Sequence, residues 1–198
     1  MRTLLILCML FLFSYSLTAQ TKKPGVSEVS FTLKTDFLSI LNSAIDKNTS
    51  DISVSGELCL NRKYSLQVNT NFEKENNTDY NRSQFMFNSE FRSYLQNDEC
   101  SCSSLHVGAY VGFGNTKTII DHRAFEYKYI KYSESTFESG LAGGYRAVIY
   151  NRWIVDPTVY VGASTVFSQR TIESINFFHD VKPVMLTVRI GLEFGYRF

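Results

Sequence analysis

Long apolar runs and proline are both scarce in this sequence once its N-terminal segment is passed. No run of about 18 apolar residues occurs after residue 20, which excludes a membrane-spanning helix from the mature chain. Proline accounts for three of the 198 residues, and alanine is infrequent, whereas there are 16 Phe and 12 Tyr. Abundant aromatic, Thr, Ser and Asn residues favour strands. The length is sufficient for one domain.

Neither sign of charge is in excess. The chain has 20 Lys and Arg against 19 Asp and Glu, and loss of Arg2 with the N-terminal segment leaves 19 of each. A neutral chain has no basic field to attract nucleic acid. We therefore expect no nucleic-acid partner.

Histidine and cysteine are too few and too scattered to indicate a metal site. The three histidines are His106, His122 and His179, and Cys100-Ser101-Cys102 offers too few ligands at a suitable spacing for zinc. We therefore predict no metal and no cofactor.

The first nineteen residues have the organisation of a secretory signal peptide. Arg2 supplies the positive charge, Leu4 to Phe13 form the apolar segment, and Leu17-Thr18-Ala19 places a small residue at the cleavage site. A short N-terminal segment, residues 20–27, follows. The apolar segment is short for a membrane anchor, and Cys8 lacks the preceding small residues of a lipoprotein attachment site. We expect cleavage and export.

Three cysteines, Cys59, Cys100 and Cys102, remain after cleavage. An oxidising compartment favours the pairing of two of them. Cys59 ends a predicted strand, and the other two lie in a turn-like stretch, residues 97–104, on the same side. Two alternatives stay open: Cys59 pairs with Cys100 or Cys102 and one thiol is free, or all three are unpaired or variably paired.

Apolar and polar residues alternate through most of residues 28–198. From Leu186 to Phe198 every even residue is apolar or aromatic, and every odd residue is polar, charged or Gly. The two sets face opposite sides of a strand. Similar segments predict seven earlier strands, at residues 29–37, 52–60, 64–72, 84–95, 105–113, 137–149 and 153–163. This pattern favours an all-β fold, an eight-stranded antiparallel up-and-down transmembrane β-barrel that occupies residues 28–198.

Short and long connections alternate between these strands. Residues 61–63 and 150–152 are predicted to be tight turns and 96–104 an intermediate one, whereas 40–50, 73–83, 115–136 and 164–183 are predicted to be long loops. Short periplasmic turns and long outer loops are typical of outer-membrane barrels. Alternation over Phe125 to Tyr132 predicts a hairpin that extends beyond the bilayer. The loop Asn115–Thr136 is therefore our candidate contact site for a surface partner.

The two faces of the predicted strands differ in charge. One face carries aliphatic residues with aromatic residues near the strand ends, and the other carries charges of both signs. Lys34, Gln67 and His106 lie on this second face. We predict that the charged face lines the lumen, where opposite charges form a structural network from Glu57, Glu90, Arg92, Asp156, Arg189 and Glu193. Alternation alone does not distinguish this barrel from an exported, soluble, lipocalin-like barrel with an apolar interior.

The chain ends on an aromatic residue, Phe198, preceded at alternate positions by Tyr196 and Phe194. A terminal aromatic on an alternating strand resembles the signal by which the barrel-insertion machinery of the outer membrane accepts its clients. We therefore expect that machinery and outer-membrane lipid as partners, and the bacterial outer membrane as the location.

Several short segments carry a family resemblance. Residues 33–38, 89–95, 105–110 and 140–145 are similar to segments of an uncharacterised family of small eight-stranded outer-membrane proteins, a domain of unknown function within the OmpA/OmpX-type barrel class. The resemblance spans most of residues 28–198 in short pieces. It implies the fold and the location, and it brings no known active site.

Two classes of function remain for such a barrel. The first is a structural or surface-interaction role through the outer loops. The second is the handling of a lipid or small ligand. Some outer-membrane barrels hydrolyse lipid with a His-x-Ser pair, but here the strand reads His106-Val107-Gly108 and lacks the serine. We favour the first class, with no catalytic residue and no enzyme activity. A conducting pore is disfavoured because side chains fill an eight-stranded lumen.

Overall fold

The structure is a computed structural model that describes residues 30–61, 63–95, 103–121, 129–172, 175–178 and 184–198. The predicted signal peptide, residues 20–27, Cys100 and Cys102 lie outside these ranges. Along the described residues the elements are β1 (Phe31–Asp36), α1 (Phe37–Ile45), β2 (Thr49–Cys59), β3 (Tyr64–Asn76), β4 (Tyr80–Tyr94), β5 (Ser104–Asp121), β6 (Tyr129–Ile149), β7 (Trp153–Ile172), β8 (Ile175–Phe178) and β9 (Met185–Arg197).

Eight of the described strands close into a barrel. Strands β1 to β7 each pair antiparallel with the next strand along the chain, and β9 pairs with both β7 and β1, which closes the ring. Strand β8 pairs with the far end of β7, beyond the barrel wall. The predicted all-β, antiparallel, up-and-down barrel of eight strands is therefore confirmed.

The start of β1, the end of β9 and the tight turns share one end of the barrel, which we call the terminal end. At the β6–β7 turn, Tyr150 and Asn151 have φ of 51° and 60°, and the Arg152 N–H donates to the Ile149 carbonyl at 3.2 Å. Positive φ at both central residues is typical of a type I′ turn, whose twist suits a hairpin. At the β2–β3 turn, the Asn61 side-chain oxygen accepts from two backbone N–H groups at 2.9 Å.

At the opposite, hairpin end, strands occupy much of what was predicted to be loop. Strands β3 and β4 continue until only residues 77–79 connect them, so the predicted loop 73–83 was wrong. Strand β7 likewise runs to Ile172, within the predicted loop 164–183. The predicted hairpin in Asn115–Thr136 is present in the described residues as pairing from Asn115↔Ser135 to Asp121↔Tyr129. Backbone ladders continue here without apolar alternation, which is why periodicity missed them.

Residues 37–45 form a helix where the sequence predicted a strand end and a loop. The Asp36 carboxylate caps it by accepting from the Leu38 N–H at 3.0 Å. Its apolar residues recur at helical spacing and are 37–75 % exposed: Phe37, Leu38, Ile40, Leu41 and Ile45. The strand-like alternation of β1 continues up to Phe37. It therefore masks the helical spacing of the apolar residues that follow.

The barrel wall is apolar outside and polar inside. Leu141, Leu186, Val188 and Ile190 point outward and are more than 60 % exposed, whereas Lys34, Glu57, Arg92 and Asp156 point inward and are no more than 2 % exposed. The buried centre of this fold is therefore made of ionised and polar groups, which need partners within the lumen.

Candidate functional site

A cluster of charged and polar side chains fills the lumen in the half near the terminal end; we call it the plug. Every barrel strand contributes to it, because each strand turns alternate side chains inward. Its members are at most 3 % exposed: Lys34 (β1), Glu57 (β2), Gln67 (β3), Glu90 and Arg92 (β4), His106 (β5), Arg146 (β6), Asp156 (β7) and Glu193 (β9).

Lys34 lies at the centre of the plug. Its ammonium is 2.6 Å from an oxygen of Asp156 and 2.7 Å from one of Glu57. A Glu193 oxygen at 3.2 Å and the Gln67 side-chain oxygen at 2.8 Å complete its surroundings. One cation from the shortest barrel strand thus holds carboxylates from three other strands.

Arg92 binds two carboxylates in different geometries. Its Nε and Nη2 donate to the two oxygens of Glu90 at 2.7 and 3.0 Å, which is the paired arrangement that a planar guanidinium favours. Its Nη1 donates to Asp156 Oδ2 at 2.6 Å. The other oxygen of Asp156 lies 2.9 Å from His106 Nε2 and accepts from the Thr158 hydroxyl at 3.1 Å.

Glu57 anchors the terminal side of the plug. One of its oxygens accepts from the hydroxyls of Tyr94 and Ser65, each at 2.5 Å. The other pairs with Lys34 and with Arg146. The Arg146 guanidinium also lies over the Tyr94 ring, 4.7 Å from its centroid.

The plug holds three cations and four carboxylates, and each carboxylate has at least one cationic partner. A buried charge that loses its partner costs about 3–5 kcal/mol. The arrangement therefore ties all eight strands together, and it fills its half of the lumen rather than leaving a passage.

Of the six residues predicted as a lumen network, the structure brings five into the plug. Arg189 lies apart, with its Nη2 3.0 Å from Glu138 Oε2 and its guanidinium over the rings of Tyr110 and Tyr160. Arg189 is thus ion-paired in the lumen as predicted, but its partner is not one of the carboxylates of the plug, because it lies four residues, or about 13 Å, from Glu193 along β9.

Sequence reasoning left out four members of the plug: Lys34, Gln67, His106 and Arg146. Alternation predicts that Lys34, Gln67 and His106 face the lumen, but it does not predict which residues they contact. Arg146 follows Gly140, Gly143 and Gly144, and these glycines obscure the alternation that would have marked it as inward-facing.

Two comparisons bear on identity. A family described as "Protein of unknown function (DUF3575)" matches residues 5–182. The chain belongs to this family. No curated protein matches it. The family description names no activity.

Inward-facing glycines in this family member make room for the plug. A Cβ at Gly195 would lie 2.6 Å from Lys34 Cγ, and one at Gly144 would lie 2.7 Å from His106 Nε2. Large polar side chains therefore cross the lumen at positions where the neighbouring strand has a glycine and no side chain to obstruct them.

The three residues of the predicted insertion signal lie on the wall near the terminal end. Phe194 and Phe198 are 40 % and 42 % exposed, and the Tyr196 ring contacts Phe198 at 5.1 Å and Trp153 at 5.2 Å between centroids. These aromatic residues form a continuous patch. Their recognition by insertion machinery stays a prediction.

Cys59, at the end of β2, is disulfide-bonded. Its partner is one of the cysteines outside the described residues, so the predicted choice between Cys100 and Cys102 stays open.

Two features are absent from the described residues. No group of three or more His, Cys, Asp or Glu side chains there is arranged to hold a metal ion. No helix in the described part of the chain is long and apolar enough to cross a membrane.

Proposed function

We propose that this protein is an integral β-barrel of the bacterial outer membrane, with a structural or surface-interaction role carried by its hairpin end. The observation that carries the proposal is the sidedness of the wall, with exposed aliphatic side chains outside and paired charges within. In water, so large an apolar surface would promote association. In a bilayer it is the surface that contacts acyl chains.

The height of the apolar surface supports this placement. On β6, outward-facing apolar or aromatic residues extend from Phe137 to Ile149, thirteen residues. They span about 40 Å along the strand, or about 30 Å across a membrane at a tilt of about 40°. That matches a hydrocarbon core about 30 Å thick.

The hairpin end is the part of the barrel that would project from the membrane. Strands β5 and β6 remain paired beyond this apolar surface, from Asn115↔Ser135 to Asp121↔Tyr129. A paired extension of this kind offers backbone edges and side chains to a surface partner. Deleting residues 125–132 should abolish surface binding and leave barrel assembly intact.

The proposal is tested by expressing the full chain, fractionating membranes and comparing gel migration with and without heating. We expect outer-membrane recovery and a heat-dependent shift in migration. A purified mature chain that stays monodisperse without detergent would contradict the proposal.

A pair of variants separates the membrane barrel from a soluble one. Leu141 is 68 % exposed on the outside of β6, and Leu141→Arg would place a charge among acyl chains at a cost of about 2–4 kcal/mol. Ser133→Arg makes a charged side chain on the same strand and face, beyond the apolar surface. In a membrane barrel only Leu141→Arg should impair assembly, whereas a soluble barrel should tolerate both.

A further inference from the structure

A cavity of about 280 Å³ lies in the lumen between the plug and the hairpin end. Glu90, Glu193 and Gln67 of the plug form one side of it. Its volume is close to the lower limit of about 300 Å³ for ligand pockets, so it suits one small group. The residues that complete its wall are mostly amides, hydroxyls and acids, among them Asp36, Asn69, Asn71, Glu73, Asn88 and Tyr110.

Three buried polar atoms of this wall lack a hydrogen-bond partner within the described residues. They are the hydroxyl of Tyr110, a residue that is 3 % exposed, the side-chain oxygen of Asn88, and Nε of Arg189. A buried polar group without a partner costs about 1–3 kcal/mol. An acceptor, a donor and a hydroxyl that can act as either therefore favour a ligand that both donates and accepts hydrogen bonds.

The charges around the cavity disfavour an anionic ligand. Glu90 and Glu193 are already paired with Arg92 and Lys34. Arg189 is the single cationic residue among the described residues of the wall, and its Nη2 is paired with Glu138. Since Asp36 and Glu73 add further negative charge, a phosphate would meet net repulsion here. Amides and hydroxyls remain, and these suit a neutral ligand rich in hydroxyl groups.

Part of the barrel wall next to the cavity is not formed by a strand. Strand β1 stops at Asp36, opposite Glu193, and no strand among the described residues covers the facing edges of residues 49–53 and 185–192. We call this the seam. Helix α1 lies there, with Phe37 packed on Phe194 at 5.4 Å between centroids.

Few hydrogen bonds hold α1 at the seam. The Ser43 hydroxyl donates to the Asp51 carbonyl at 3.0 Å and accepts from the Asp51 N–H. The Asp36 carboxylate accepts from the Leu192 N–H at 3.3 Å. Beyond the helix, the Asn48 N–H and the Thr49 hydroxyl donate to Asp46 and lower the pKa of its carboxyl.

We propose that the cavity binds a neutral, hydroxyl-rich group about the size of one sugar ring, which enters from the membrane through the seam beneath α1. The inference rests on the proposed membrane placement, which puts the exposed apolar side of α1 against lipid. Asp36, Ser53, Ile190, Gly191 and Glu193 belong to both the cavity wall and the margins of the seam, so a polar group on an alkyl chain can reach the cavity while its chain stays in the bilayer.

The test uses the mature chain in dodecylphosphocholine micelles, which carry no sugar. The methyl glycosides of glucose, galactose, mannose and N-acetylglucosamine are titrated, with binding followed by protein amide NMR shifts. We expect saturable binding of at least one, at least tenfold tighter than glucose 6-phosphate. The octyl glycoside of the bound sugar should bind at least tenfold tighter than the methyl glycoside, since its chain follows the seam.

A matched pair of variants assigns the binding to the cavity. A Cβ at Gly191 would lie 3.6 Å from the nearest atom, so Gly191→Leu can fill the cavity without a backbone clash. Gly143, on the outward face, also has room, and Gly143→Leu is its control. Gly191→Leu should abolish binding of both glycosides, and Gly143→Leu should keep it.

A second pair tests the orphaned hydroxyl. Tyr110→Phe should weaken binding at least threefold, whereas Tyr145→Phe, which removes an outward hydroxyl, should leave it unchanged.

The outcomes separate the two proposals. A heat-modifiable membrane barrel that binds no glycoside, or binds them equally in Gly191→Leu, overturns the cavity site and leaves the membrane proposal standing. Equal affinity for methyl and octyl glycosides overturns entry through the seam. A chain that is soluble without detergent overturns the membrane proposal itself.

Discussion

Lys34 and Asp156, 122 positions apart in the chain, meet in the lumen with 2.6 Å between the ammonium and a carboxylate oxygen. Replacing Lys34 by Met keeps the length of the side chain and removes its charge. Glu57, Asp156 and Glu193 would then each lose a cationic partner in a buried site. We expect Lys34→Met to lower the free energy of unfolding by about 3–5 kcal/mol.

The measurement is urea unfolding of the mature chain in detergent micelles, followed by the heat-dependent shift on gels. Lys74 is exposed on β3, and Lys74→Met is the control that should change stability by less than about 0.5 kcal/mol. Equal stability of the two variants would show that the plug does not hold the barrel together.

Arg92 and Glu90 form the paired guanidinium–carboxylate contact of the plug. Glu90→Gln and Arg92→Met each leave a buried charge without this partner, whereas the double variant removes both charges. We therefore expect the double variant to be more stable than the sum of the single changes predicts, by about 0.5–3 kcal/mol. Unfolding of the four proteins under one set of conditions gives this coupling, and additive changes would contradict it.

Local pattern accounts for which way side chains point in this barrel. Alternation is a property of neighbouring residues, so it placed Lys34, Glu57 and Arg92 on the inward face before any pairing was known. It also predicted the turns at residues 61–63 and 150–152, where Asn side chains and short spacing are sufficient signals.

Pairing inside the lumen could not be predicted in the same way. The contact between Lys34 and Asp156 depends on the register of every ladder between β1 and β7, and one slip by a residue turns an inward side chain outward. Arg189 shows that alternation also leaves the ion-pair partner undetermined along a single strand. It shares a face with Glu193, but it lies too far along β9 to pair with a carboxylate of the plug.

Gly140 and Gly143 lie on opposite faces of β6 and should respond differently to alanine. A Cβ at Gly140 would contact the Val161 carbonyl and lie 2.5 Å from the Gly162 Cα, and neither backbone atom can yield easily. We expect Gly140→Ala to destabilise the barrel by about 1–3 kcal/mol. A Cβ at Gly143 has its nearest neighbour at 4.0 Å, so Gly143→Ala should be neutral in the same unfolding assay. The reverse order would contradict the packing described for the lumen.

Cys59 should be recovered in a peptide linked to Cys100 or to Cys102. Cys59 is disulfide-bonded, and Cys100 and Cys102 are the two other cysteines beyond the predicted signal peptide. Mass spectrometry of an unreduced digest identifies the partner. Replacing that partner by Ser should expose Cys59 to alkylation and lower stability by about 2–4 kcal/mol. Alkylation of Cys59 in the unreduced, unfolded wild-type chain would contradict the bond.

The Ser43 side chain joins α1 to the edge of β2 that no described strand pairs with. Its hydroxyl both donates to and accepts from the backbone of Asp51, so Ser43→Ala removes two hydrogen bonds while keeping a residue compatible with the helix. Because these bonds cover an edge that no described strand pairs with, we expect the amide of Asp51 to exchange with solvent at least tenfold faster in the variant.

Ser139, on the outward face of β6, has its backbone in a complete ladder, and Ser139→Ala should leave amide exchange unchanged. Hydrogen exchange read by NMR in micelles distinguishes these results. If Asp51 remains as protected in Ser43→Ala as in the wild type, the backbone of β2 is held by something other than α1, and the seam is not the weak part of the wall.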